Sequence, residues 1–179
     1  MATSRISTSS ILQGFPKSRS LLAGNAGYDP AATWLIQRVN PTSGATTVSF
    51  TSIPSTYKSL QIRWMAKDTS TAAADDGIQF QLNSLAGTNY AYHTLKGNGS
   101  AASATGFASQ PFFGTPYGEP TSSTGTTNMF GVGIFDLIDY ASTTKAKTVR
   151  VFSGSNINTT STLYGVSLTS ALINTTSAI

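Results

Sequence analysis

Residues 47–67 read TVSFTSIPSTYKSLQIRWMAK, and the alternation in this stretch decides the fold class. Val48 and Phe50 fall on one parity, with Thr47, Ser49 and Thr51 on the other. After a turn containing Pro54, Leu60, Ile62, Trp64 and Ala66 share a face, and Ser59, Gln61, Arg63 and Lys67 take the opposite one. Apolar residues at period two on both sides of a turn predict a hairpin of two half-buried antiparallel strands, with Trp64 in the core. The polar face reads as solvent or subunit contact, with no catalytic role.

The same pattern extends in both directions. Residues 34–39 read as a first short strand, ended by Asn40-Pro41 and a Ser43-Gly44 turn. Ile78, Phe80 and Leu82 alternate with Gln79, Gln81 and Asn83, and Tyr90 and Tyr92 with Ala91 and His93. Residues 129–137, 147–152 and 162–168 read as further strands, and Gly131 and Gly133 permit close packing or a bulge. Residues 98–127 read as a long loop rich in Gly, Ser, Thr and Pro; such a length implies a function or unrecognised short strands. Eight or so short strands without a long helix predict an all-β chain, an antiparallel, jelly-roll-like β-sandwich over residues 33–179. Residues 172–179 show no clear final strand, so the last edge strand is expected to be borrowed or missing.

At 179 residues and 39% hydrophobic the chain can build a sizeable core. Its charged fraction of 10% lies far below the roughly 25% of ordinary domains, and Ser and Thr fill the gap. Composition of this kind favours an exposed, long-lived β protein over a cytosolic enzyme. The net charge of +4 reflects few acids, and the bases are scattered, which argues against nucleic acid as a partner. Lys145, Lys147 and Arg150 read as a solvated strand entrance. There is no cysteine, which removes disulfides and thiolate chemistry, and no 18-residue apolar run for membrane insertion.

Residues 1–32 read differently, as an extended N-terminal arm. Gly14, Pro16, Gly24, Gly27 and Pro30 break any helical period, yet Ile6, Ile11, Leu12, Phe15, Leu21 and Leu22 recur, joined by Lys17 and Arg19. Anchors at that density fit a docking arm, because buried side chains must offset the entropy of ordering it.

No catalytic, cofactor-binding or metal constellation emerges. His93 is the single histidine, no G-x-S-x-G elbow exists, and the glycine-rich segments match no nucleotide fingerprint. The seven carboxylates offer only Asp75/Asp76 and Asp136/Asp139 as close pairs, and both read as turn chemistry. A carboxylate hydrolase using Asp136 is the last-ranked reading. Phe112, Phe113 and Tyr117 in the long loop form a candidate contact for glycans.

Three blocks carry a family resemblance: VSFTSIPSTYKSLQIRWMAKD, GTNYAYHTLKGNGSAASA and NMFGVGIFDLIDYASTTKAKTVRVFSG. Together, over about residues 34–173, they resemble a family of tailed-bacteriophage virion structural proteins with a jelly-roll or β-sandwich domain. The segment SRISTSSILQGFPKSRSLLAGN resembles the arms that precede such domains. The resemblance implies a non-enzymatic component of the particle exterior, a capsid decoration or a tail or fibre part. Its implied partners are phage capsid or tail proteins and other copies of itself, by analogy as a homotrimer, with a receptor-binding module for host glycans as the alternative.

Overall fold

In the computed structural model the described residues are 35–42, 44–69, 76–119, 128–156 and 165–179, with the backbone alone for residues 76 and 116–119. The chain divides into two compact units, Met1–Ile53 and Pro54–Ile179. In the first, residues 35–42 and 44–53 form no strand; a turn closes where Ala45 N–H donates to the Thr42 carbonyl at 3.1 Å, with Gly44 at φ 84°. Two sequence expectations are corrected here. Residues 35–39 are not a strand, and Leu35 is 81% exposed. Residues 47–51 do not form the first arm of a hairpin. Alternation fits any extended segment, and what makes a strand is a backbone ladder.

Among the described residues there are eight strands, each in the second unit: β1 (Ser59–Ala66), β2 (Asp76–Phe80), β3 (Tyr90–Gly97), β4 (Ala102–Gln110), β5 (Phe113–Glu119), β6 (Gly131–Ile138), β7 (Lys147–Ser155) and β8 (Gly165–Ile173). Six form an antiparallel sheet in the order β1-β6-β7-β8-β3-β4, and β2 pairs with β5 in a second, two-stranded sheet. The chain is therefore all-β, and its architecture is a sandwich of unequal layers. β1 finds its partner in β6, 65 or more residues along the chain, with Trp64 opposite Gly133. The expected long loop contains β4 and β5, hidden by the small residues of β4 and by the glycines and proline of β5. β8 runs further than the sequence suggests, to Ile173, and it sits centrally between β7 and β3.

β5 lies across β7 and β8 and carries the small sheet onto the large one. Five aromatic rings fill the gap. Phe80 approaches Trp64, Phe113 and Phe135 at centroid distances of 5.6, 5.3 and 5.2 Å, and Tyr90 meets Phe113 at 5.9 Å. Such ring pairs add to the area they bury. Gly133 is required here, since a Cβ at that position would run into the Trp64 indole. Leu137, Val149, Val151, Ala171 and Ile173 extend this core along β6, β7 and β8.

The buried layer also holds hydroxyls. Thr115 bonds Ser153 and Ser167, Ser153 bonds Ser167 at 2.8 Å, and Thr94 bonds Thr169 at 2.9 Å. Paired in this way, buried hydroxyls escape most of their desolvation cost. Lys147 corrects the solvated-entrance reading: it is fully buried, and its Nζ donates to the Ser142 and Lys145 carbonyls at 2.6 and 2.8 Å. Its charge holds the turn between β6 and β7 closed. Asp139, at φ 53°, bends that turn and pairs with Lys145 at 2.9 Å. Tyr140 anchors the same end, its hydroxyl donating to the Pro54 carbonyl.

Candidate interaction surface

The small sheet covers one face of the large one, and none of the other described strands lies over the opposite face. Cross-strand register arranges this outer face in rows. One runs Met65, Val132, Gly154, Val166, Gly97, Ala102 from β1 to β4. The next runs Arg63, Ile134, Phe152, Leu168, Leu95, Ala104, and the third Gln61, Asp136, Arg150, Ser170, His93, Gly106. Beyond these, Ile138 and Leu172 project from β6 and β8.

Met65, Leu95, Val132, Ile134, Ile138, Phe152, Val166, Leu168 and Leu172 are between 37% and 69% exposed. At ordinary side-chain areas they present on the order of 800 Å² of apolar surface, above the few hundred Å² typical of the largest patch on a monomer. It is also about the area each partner contributes to a standard protein interface. An antiparallel sheet with one solvated face ordinarily alternates apolar-in and polar-out, and the large apolar residues on the outer parity here depart from that pattern.

The third row gives this band a charged margin. Gln61 Nε2 donates to Asp136 Oδ1 at 2.7 Å, Arg150 Nη2 pairs with Asp136 Oδ2 at 3.0 Å, and Arg63 Nε donates to Gln61 Oε1 at 2.6 Å. The Gln61 hydrogen bond, then the Arg150 bond and charge and the Arg63 charge, hold the Asp136 carboxyl below its ordinary value of 3.8. Both oxygens of Asp136 are thus engaged in holding the sheet surface together, and the carboxylate favours its ionised form.

Toward β4 the surface changes character. Ala102, Ala104 and Gly106 are small, and Ala104 and Gly106 with His93, Leu95, Leu168 and Ser170 bound a shallow trough of about 370 Å³. The His93 imidazole lies against Gly106, where an added Cβ would come within 3.0 Å of the ring. β4 itself is exposed on both faces except at Gln110, and pairs only with β3 in the sheet.

The sequence-predicted site residues separate under this description. Ile6, Ile11, Leu12, Phe15, Lys17, Arg19, Leu21 and Leu22 lie outside the described residues. Phe113 corrects the glycan-loop reading, because it is fully buried against Phe80 and Phe135. Phe112 is half-buried, and the Tyr117 side chain lies outside the described part. Ser59, Gln61 and Arg63 do face outward, joined by Met65, and Lys67 lies beyond the end of β1. Among the described residues no group of three or more His, Asp or Glu side chains could hold a metal ion, and no helix is long and apolar enough to cross a membrane.

Sequence reasoning missed the apolar outer rows. The available signal was that β7 and β8 carry large apolar residues on both parities: Val149 and Val151 against Phe152, and Ala171 and Ile173 against Val166, Leu168 and Leu172. No protein-family model, no curated protein and no solved structure matches this chain.

Proposed function

We propose that the chain is a non-enzymatic structural protein of a tailed-phage particle, a β-sandwich on the particle exterior joined to capsid or tail proteins through residues 1–32. The observation that carries an assembly role is the open apolar face of the six-stranded sheet, which is sized for a protein partner. The phage assignment is supported by the sequence resemblance. Its three blocks contain β1, β3 with the start of β4, and β6 with most of β7. They therefore belong to the large sheet that presents this face. The low charge and the hydroxyl-rich surface suit a component that persists outside a cell.

Mass spectrometry of purified particles tests the reading. The chain should be present at a fixed copy number, hundreds for a capsid decoration and a handful for a tail or fibre part; its absence from particles overturns the proposal. Deleting residues 2–30 should abolish incorporation while the β-sheet circular dichroism persists. Normal incorporation of that deletion would reject the arm.

A further inference from the structure

We propose that the outer face of the six-stranded sheet is an interface with a second copy of this chain, closed around a two-fold axis lying between β7 and β8. The inference rests on the assembly role proposed above and adds the surface, the occupant and the symmetry.

The first argument is size. The exposed apolar band matches what each partner contributes to a stable dimer, so one copy of the same face covers it without remainder.

The second is shape. Around the axis, β7 of one copy lies over β8 of the other, β6 over β3, and β1 over β4. The β1-β6-β7 half carries the bulky side chains Met65, Val132, Ile134 and Phe152. The β8-β3-β4 half carries Gly97, Ala102, Ala104 and Gly106 and the shallow trough. In this arrangement Phe152 meets the second copy's Leu168, Ile134 meets its Leu95, and Met65 reaches its Ala102. In the first row large side chains meet small ones, Met65 and Val132 against Ala102 and Gly97 and Val166 against Gly154, while in the second row the large residues of both halves pack on one another, and an isologous contact satisfies both halves at once. Aligned sheets pack with their strands roughly 30° apart, which preserves these pairings near the axis.

The third is charge. Arg63, Asp136 and Arg150 all lie on the bulky half. Half-on-half pairing sets them against Ala104, His93 and Ser170, whereas laying bulky half on bulky half would bring the arginines together. The Asp136 carboxylate then faces the second copy's His93, an acceptor opposite a donor. A three-fold arrangement makes no use of this pairing of halves.

Sedimentation velocity on the purified full chain at tens of micromolar tests the proposal. Expected is a dimer, with Leu95→Lys and Ile134→Glu each raising the dissociation constant at least about tenfold and leaving the thermal midpoint of the monomer unchanged. Leu95 and Ile134 are separated within one copy by β7 and β8, so opposite charges there can pair only across the axis. The double variant should therefore recover the dimer. A monomer at all concentrations overturns the interface, as does cover by residues 1–34 of the same chain or by an unrelated protein. A trimer, or a double variant that stays monomeric, overturns the two-fold arrangement. Should a charged variant unfold, Val132→Ser and Phe152→Ser decide by the same measurement. No particle is involved, so a dimer absent from virions rejects only the phage reading, and a particle-bound monomer rejects only the interface.

Discussion

On β8 the side chains turned toward the small sheet are Ser167, Thr169, Ala171 and Ile173, whereas those turned away are Val166, Leu168, Ser170 and Leu172. The covered side of this strand is the less oily one. On β7 the contrast is milder, with Val149, Val151 and Ser153 inside and Arg150 and Phe152 outside. Hydrophobicity alone would not choose which parity of β8 goes inward, since a one-residue slip exchanges the two faces. The inward set is specified by neighbours: hydroxyls that pair with one another, and aromatic rings that require Gly133 beneath Trp64. The outer set has no such partners among the described residues.

This contrast can be broken from either side. The largest effect is expected from Phe113→Ala, which removes the ring shared by Phe80, Tyr90 and Phe135. It should cost about 3–5 kcal/mol in urea denaturation. The most direct comparison is a matched pair on β7. Val151→Ser should cost about 2 kcal/mol or more, and Phe152→Ser, one residue on, should stay within about 0.5 kcal/mol when both are measured as monomers. Equal losses would mean that the two faces are covered alike.

Smaller changes sharpen the inner side. Gly133→Ala drives a methyl into the indole and should cost about 1–3 kcal/mol, with most of the loss recovered in combination with Trp64→Leu. Ser155 is buried with no hydrogen-bond partner for its hydroxyl among the described residues. Ser155→Ala should therefore be neutral or stabilise by up to about 1 kcal/mol, read as a shift of the denaturation midpoint.

The smallest effect belongs to the outer margin. The Asp136 carboxyl titrates below its ordinary value, so its contribution is present above the unfolded-state value of 3.8 and fades as pH falls through the folded one. Solvent screening limits it to about 0.5 kcal/mol. Denaturation of Asp136→Asn should accordingly lose part of the wild-type pH dependence below pH 4, and a variant that titrates like wild type would remove Asp136 from the row.

How far the sequence could be read follows from where its signals were unambiguous. In β1 the apolar and polar residues separate except for the outward Met65, and the inward set Leu60, Ile62, Trp64 and Ala66 is the one anticipated. The fold class followed correctly from it. β4 was invisible because Ala, Gly, Ser and Thr carry little periodic contrast, and β5 because Gly114, Pro116 and Gly118 read as loop; only the ladders to β3 and β2 define them. Residues 47–51 failed for the opposite reason, having a good alternation and no ladder. Phe113 looked like a loop aromatic because β5 was unseen, yet it lies at the centre of the core. The outer surface escaped because a reading that assigns each strand one buried face cannot register a strand with two.

The position of β8 bears on how the sheet is held together. Among the described strands, the last in chain order lies in the interior of the sheet, between β7 and β3, while β1 lies at an edge. β8 bonds β7 on one side and β3 on the other, so without it the β1-β6-β7 ribbon and the β3-β4 hairpin share no backbone ladder. The ladder to β3 joins segments distant in sequence, the kind of contact whose loop-closure cost slows folding. Unpaired strand edges are templates for pairing with other chains, so any state in which Gly165–Ile173 is undocked is the one most exposed to aggregation.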